Sequence, residues 1–231
     1  MQPPVVDYLK LRPGNLLSEQ FRHLLYLLYW PVFGALFYFV EHLYDVPGYY
    51  PMYSPLDDLI PFCELFVIPY LFWFVYLVFQ HVYGALYDIP NFKWLMRYII
   101  ITYSGALIVY FIFPNCQLLR PAEFARDNFL TRFMAGFYDF DTNTNVFPSI
   151  HVMGSLAVMS AGLQAKPFQK TGWRIFYIVW AVLICASTVF LKQHSILDIF
   201  GALPICLLAE WYCHYKHRKD AEKMQQKESC R

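Results

Sequence analysis

Apolar residues in this chain form long blocks that short polar segments separate. Six of the blocks are long enough for a helix that crosses a bilayer, which needs about 20 mostly apolar residues. They cover residues 23–40, 59–83, 95–113, 149–165, 173–190 and 193–215. A buried strand seldom exceeds about eight residues. The pattern therefore predicts an all-α fold, a polytopic membrane bundle of about six transmembrane helices.

Polar segments flank the six apolar blocks and define the expected domain limits. Residues 1–22 read as a cytoplasmic N-terminal segment, residues 23–215 as one membrane domain, and residues 216–231 as a charged cytoplasmic tail. Lys and Arg concentrate at both chain ends and in the links at 84–97 and 166–174. With six spans these four segments share one side, and the positive-inside rule makes that side cytoplasmic. The segments at 41–58, 114–148 and 190–193 then lie on the extracytoplasmic side.

Composition agrees with a membrane protein. The chain is 58% hydrophobic and only 15% charged, whereas soluble domains carry about 25% charged residues. A net charge of +1 argues against nucleic acid as a partner. The six cysteines lack paired or metal-binding spacing, so we expect neither a disulfide framework nor a structural metal.

Two polar motifs interrupt the apolar pattern. Lys192, His194 and Asp198 lie where the fifth block ends and the sixth begins, and the His and Asp are four residues apart, as on one helical face. The sequence Pro-Ser-Ile-His, ending at His151, begins the fourth block. The predicted topology places both motifs at helix N-termini on the same outer face, where backbone N–H groups favour an anion.

These residue types suit phosphoryl transfer. One imidazole can attack phosphorus while a second, protonated imidazole donates to the leaving oxygen. Asp198 can fix the tautomer of His194, as in a catalytic triad. Arg120 and Lys192 are the nearest candidate cations for phosphate oxygens. The structural alternatives are a polar pair bridging two helices, a solvated loop arginine and an interfacial lysine that snorkels.

Three stretches together resemble a known family. They are Arg120-Pro121, the Pro-Ser-Ile-His motif and the stretch from Ser187 to Asp198. In order and spacing they are similar to the three motifs of the type 2 phosphatidic acid phosphatase family. The branch they resemble includes the inositol phosphorylceramide synthases and inositolphosphotransferase-like proteins. The resemblance implies six helices, an outer-facing site and metal-independent chemistry without a cofactor.

By that resemblance each motif residue acquires an expected role. His194 is the nucleophile, Asp198 orients it, and His151 is the acid toward the leaving group. Arg120, Ser149 and the backbone of Ile150 hold phosphate oxygens.

The chain departs from the family pattern at three positions. Phe113 stands where the first motif has lysine, Ile150 where the second has glycine, and Thr188 where the third has arginine. Lys192 is the expected replacement for a missing cation, with Ser187 and Thr188 as possible support. The departures leave open whether the substrate is a phosphomonoester, a phosphodiester or a diphosphate.

The leading functional hypothesis is a membrane lipid phosphatase of the phosphatidate or polyprenyl-diphosphate type, with a phosphohistidine intermediate. The first alternative is a lipid headgroup phosphotransferase similar to inositol phosphorylceramide or sphingomyelin synthases. The second alternative is a non-enzymatic transporter that uses the His–Asp pair as a proton relay. The expected location is the plasma membrane with an extracytoplasmic site, or an internal membrane with a lumenal one.

Three further acids and one metal hypothesis complete the prediction. Asp57 and Asp58 read as loop acids or a helix N-cap, with headgroup contact as the alternative. Glu64 is a minor candidate for activating an acceptor. His151, His194 and Asp198 could formally make a two-histidine, one-carboxylate metal site. We disfavour that site because Asp198 is better placed to bond the imidazole of His194.

Overall fold

The computed structural model describes residues 4–229; at positions 221, 223, 224 and 226–229 it describes the backbone only. Residues 1–3 of the predicted N-terminal segment and residues 230 and 231 of the predicted tail lie outside the described part.

Helices dominate the described chain. Within residues 4–229 there are eight α-helices and one pair of two-residue parallel strands, β1 (Tyr50–Pro51) and β2 (Asn115–Cys116). The helices are α1 (Tyr29–His42), α2 (Pro55–Leu59), α3 (Val67–Tyr87), α4 (Ile89–Ile112), α5 (Phe129–Phe140), α6 (Ile150–Gln164), α7 (Thr171–Phe190) and α8 (Ile196–Ser229). The predicted all-α membrane bundle is confirmed.

Five helical segments in the described residues are long and apolar enough to cross a membrane. They are Arg22–His42, Glu64–Tyr87, Ile89–Ile112, Thr171–Phe190 and Ile196–Asp220. The predicted fourth span is present as α6, but its 15 residues rise only about 22 Å, less than the ~30 Å hydrocarbon core. The chain is thus a multi-pass membrane protein in which one apolar helix is short.

Several predicted span limits are wrong: the third span begins at Ile89 instead of residue 95, with Asp88 as its N-cap. Local chemistry explains two further differences. The second span begins at Glu64 instead of residue 59, because Pro61 forces Ile60 into an extended conformation and ends α2. The sixth begins at Ile196 instead of residue 193. There the N–H groups of Lys192 and Gln193 donate back to the carbonyls of Val189 and Thr188, at 3.1 and 3.0 Å. With Lys192 at φ 53° this is a Schellman motif, which terminates α7.

The short helix α6 lies at the centre of the bundle, packed against α3, α4, α7 and α8. Six of its nine buried residues are small, which lets neighbouring backbones approach closely. They are Gly154, Ser155, Ala157, Ser160, Ala161 and Gly162. At Gly162 an added Cβ would lie 2.3 Å from Cε1 of the buried Tyr177. The absence of a side chain is therefore required at this crossing.

Hydrogen bonds between segments identify the two ends of the bundle. At one end the Val5 N–H donates to the carbonyl of Leu86 at 2.8 Å, and Arg97 pairs with Asp220 at 2.9 Å. At the other end the Tyr110 hydroxyl, near the end of α4, donates to the carbonyl of Pro148 at 2.7 Å. The first turn of α6 therefore lies at the end opposite the α3–α4 junction.

The inter-span segment at 114–148 contains a helix that we did not predict. Helix α5 begins at the N-cap Asn128, whose Oδ1 accepts from the N–H groups of Leu130 and Thr131 at 2.9 and 3.1 Å. The segment that follows α5 is tied to α1 by Glu41. Its carboxylate accepts from three side chains, Thr142, Thr144 and Asn145.

We predict that Gly162→Ala lowers the thermal unfolding midpoint in detergent by about 2–10 °C, because overpacking a buried crossing costs about 1–3 kcal/mol. The matched control is Gly34→Ala, where an added Cβ meets nothing within 4 Å, and no decrease is expected. Equal midpoints for the two variants would contradict the packing of α6 on α7.

Candidate active site

The turn between α7 and α8 presents a histidine held by a buried carboxylate. Nδ1 of His194 is 2.9 Å from Oδ2 of Asp198, which is fully buried. The same oxygen accepts from the Ser195 N–H at 3.1 Å. His194 precedes α8 instead of lying within it, so the pair joins a turn residue to the first turn of the helix. The imidazole is thereby fixed with Nε2 directed away from Asp198.

Asp57 caps the beginning of α8 from a distant part of the chain. Its Oδ1 accepts from the Ile196 N–H at 2.8 Å, and its Oδ2 accepts from the Ser195 hydroxyl at 2.6 Å and the Ser54 N–H at 2.8 Å. A carboxylate at a helix N-terminus is favoured by the helix dipole. The sequence interpretation placed Asp57 in a loop or at the N-cap of its own helix, but Ser54 is the N-cap of α2 and Asp57 caps α8 instead. The α8 terminus, where we expected phosphate, is occupied by this protein carboxylate.

The first turn of α6 faces His194. Ser149 is the N-cap residue, and its Oγ is 3.2 Å from Nε2 of His194. When Nδ1 carries the proton shared with Asp198, Nε2 has the lone pair and the Ser149 hydroxyl donates to it. Ile150 is the first residue of the helix, so its N–H is among those that a helix leaves unpaired. An anion at this turn would meet a hydroxyl and backbone N–H groups.

His151 lies across from His194 with aromatic neighbours. The two imidazole centroids are 5.7 Å apart with ring planes at 67°. The His151 ring packs on Tyr70 and Trp73, each at 4.6 Å between centroids. Its buried Nδ1 finds no hydrogen-bond partner among the described residues. The arrangement brings both predicted histidines to one site.

Arg120 makes contacts other than those expected. Nη1 donates to the carbonyls of Tyr138 and Asp141, and Nη2 to that of Thr142, each at 2.9 Å. Nε and Nη2 also donate to Oε1 of Gln193, at 3.1 and 2.6 Å. These five hydrogen bonds match the five N–H groups of a guanidinium. To hold phosphate, as predicted, Arg120 would have to exchange one of them.

Gln193, the residue before His194, links Arg120 to Asp141. Nε2 of Gln193, a buried side chain, donates to Oδ2 of Asp141 at 3.2 Å. Burial raises the pKa of the Asp141 carboxyl, while Arg120 and His194 oppose the rise. Burial also lowers the pKa of Arg120. The chain Arg120–Gln193–Asp141 therefore fixes the segment after α5 against the turn that carries His194.

The side chains of the remaining predicted residues, Lys192, Ser187 and Thr188, make hydrogen bonds to backbone carbonyls and not to either histidine. Nζ of Lys192 donates to the carbonyl of Asp57 at 2.7 Å, and burial lowers its pKa against the opposing charges of Asp57 and Asp58. The Ser187 and Thr188 hydroxyls donate within α7, to the carbonyls of Ile184 and Cys185. The carbonyl of Thr188 accepts from the His194 N–H at 3.1 Å. Thr188 thus supports His194 through its main chain.

Glu64 and the hypothetical metal site can also be located. Oε1 of Glu64 accepts from Arg126 at 3.2 Å and from Asn128 at 3.0 Å, so this carboxylate binds the start of α5. Among the described residues, no group of three or more His, Cys, Asp or Glu side chains is arranged to hold a metal ion.

Sequence reasoning missed Gln193, Asp141 and Tyr70 as members of the site. For Gln193, the only indication in the sequence was its position directly before His194. Asp141 and Tyr70 reach the site only through the packing of α5 and α3.

Comparison with known families and proteins gave one match. The family model described as the PAP2 superfamily matches residues 94–222, more than half of the chain. No curated protein and no solved structure matches.

We predict that Gln193→Glu lowers the thermal midpoint by about 2–10 °C, because a second carboxylate would face Asp141 in a buried position. Asp141→Asn alone should have little effect, and the double variant should restore the midpoint, since the new amide at position 141 can donate to the new carboxylate at position 193. Because the Asp141 pKa is raised, lowering the pH protonates this carboxyl and should shrink the Gln193→Glu defect. A defect that the double variant leaves intact would contradict the contact.

Proposed function

The chain belongs to the PAP2 superfamily, and from that membership and the site geometry we propose that it is an integral membrane lipid phosphatase that acts through a phosphohistidine. The observation that carries the proposal is the state of His194. Its Nδ1 is bonded to Asp198 at 2.9 Å, while Nε2 faces the first turn of α6 and the second imidazole. The residue roles below are part of the proposal.

In the first step Nε2 of His194 attacks phosphorus, and the bond from phosphorus to the leaving oxygen breaks. His151 gives its proton to that oxygen, which leaves as an alcohol or a lipid phosphate. The carboxylate of Asp198 stabilises the positive charge that develops on His194. The product is a phosphohistidine and a neutral His151.

In the second step a water molecule gives a proton to His151 and attacks phosphorus. The phosphorus–nitrogen bond breaks, inorganic phosphate is released, and His194 returns with its lone pair on Nε2. Both imidazoles are then in their starting states, so protons and charge balance over the cycle.

Phosphate oxygens need donors in both steps. Ser149 and the backbone N–H of Ile150 lie at the first turn of α6, a position suited to an anion. Lys192 uses one of its three N–H groups on Asp57, so it can offer another to an oxygen. We retain Arg120 as a phosphate contact only through exchange of one of its five hydrogen bonds.

A second candidate function has one specific observation in its favour. The five donors of Arg120 are engaged, and the half-buried carboxylate of Asp141 lies nearby, so the positive charge that Arg120 offers to substrate is small. A singly charged phosphodiester suits such a site better than a doubly charged phosphomonoester. This favours lipid headgroup transfer, in which an alcohol takes the place of water, as in the synthase-like branch.

We further propose that the site faces the extracytoplasmic or lumenal side. The N-terminal segment and the α3–α4 junction lie at the opposite end of the bundle from His151. Their basic residues support a cytoplasmic position for that end by the positive-inside rule.

We predict that His194→Ala and His151→Ala each reduce turnover of a lipid phosphate by several orders of magnitude, and that Asp198→Asn costs more than about tenfold. The leaving group of an aryl phosphate needs no proton, so with this substrate His151→Ala should still complete the first step. Acid-labile phosphoprotein should then accumulate, because the second step needs His151 to accept a proton from water. Size-exclusion profiles in detergent serve as the folding control. Full turnover by His194→Ala would refute the nucleophile assignment.

The acceptor is tested on the purified protein with phosphorus-labelled lipids, each with and without an added alcohol such as inositol. A phosphatase releases labelled phosphate in both arms, whereas a transferase forms a labelled lipid only with its acceptor. We expect activity to survive a strong chelator. Complete loss that zinc or iron reverses would overturn the metal-independent mechanism.

A further inference from the structure

Helix α5 has an exposed aromatic stripe in addition to its buried face. Phe129, Phe133 and Phe140 lie four and seven residues apart, so they share one side of the helix. Their side chains are 80%, 37% and 85% exposed. Three exposed phenylalanines along one line are unusual on a surface that meets only water.

The opposite side of α5 is held by the site, so the helix cannot turn its stripe inward. Met134 is buried together with Tyr70 and Leu191. Phe137 meets the Tyr70 ring edge-on at 5.6 Å, and the Tyr138 hydroxyl donates to the carbonyl of Leu191 at 2.5 Å. The exposed stripe is therefore a fixed surface.

The beginning of α5 is fastened at the beginning of a membrane span. Glu64 opens the span Glu64–Tyr87, and its carboxylate accepts from Arg126 and from the N-cap Asn128. Leu65 and Ile68, just inside that span, are 60% and 58% exposed, as bilayer-facing residues should be. Helix α5 therefore starts at the level where the span enters the hydrocarbon.

The third side of α5 is polar. Arg132 and Asp139 lie there, and Arg132 donates to Asp127 at 2.7 and 2.8 Å. A helix with one side on protein, one apolar and one charged fits the boundary between lipid and water.

We infer that α5 lies in the membrane–water interface of the leaflet nearest the site, with Phe129, Phe133 and Phe140 inserted among bilayer lipids. The occupant of the stripe is the bilayer, because the stripe continues from the beginning of a span. This goes beyond the proposed reaction and does not depend on it.

The direct test uses the full chain in proteoliposomes made with a phospholipid that carries a carbene-generating group near the top of its acyl chain. Peptide mass spectrometry should find label on Phe129, Phe133 and Phe140. Leu65 and Ile68 are the positive control in the adjoining span. Label on those two residues without label on the three phenylalanines overturns the inference.

A kinetic arm compares two triple variants, Phe→Ser and Phe→Leu at positions 129, 133 and 140. On a long-chain lipid phosphate in vesicles, the Ser variant should lose about tenfold in kcat/KM and the Leu variant little, because leucine keeps the apolar contact. On a water-soluble aryl phosphate both variants should match the parent. An equal loss for Ser and Leu would also count against the lipid contact. Failure of the proposed function would instead appear as inactivity of the parent, with the carbene label unaffected.

Discussion

The candidate site depends most on one interaction, the capping of the α8 N-terminus by the carboxylate of Asp57. This carboxylate accepts from the first N–H of α8 and from the Ser195 hydroxyl, while the carbonyl of the same residue accepts from Lys192. Leaving a buried N–H of a helix terminus unpaired costs about 1–3 kcal/mol. The segment before α3 thus fixes both ends of the turn that carries His194, and the imidazole has a defined position only when that segment is in place.

Much of the architecture was readable from the sequence because bilayer insertion depends on local composition. The spans follow from blocks of apolar residues, and the two histidine motifs stand out because polar residues interrupt those blocks. The spacing of His194 and Asp198 correctly predicted their contact. The prediction placed both residues on one face of a helix, whereas His194 precedes α8. A Schellman motif with Lys192 in the left-handed region ends α7, and the pair forms across the beginning of α8.

The rest could not be predicted because it depends on which acceptors surround a side chain in three dimensions. Nothing in the sequence near Arg120 indicates that its guanidinium would bind three carbonyls and Gln193. Helix α5 was missed for a different reason. Its stripe has helical spacing, but charged residues on its other side lower the average hydropathy of the segment. A search for amphipathic spacing would have found the helix, whereas a search for long apolar blocks could not.

The separation along the chain between Asp57 and its partners has a consequence for biosynthesis. Ser195 and Ile196 follow Asp57 by 138 and 139 residues, and ribosomes add about 5–20 residues per second. A nascent chain therefore spends on the order of ten seconds with this carboxylate unmatched. Until the last span is inserted, the polypeptide lacks its His194 turn, so the candidate active site cannot form. The site therefore stays incomplete during synthesis, because the capping carboxylate and the helix terminus that it caps lie far apart in the chain.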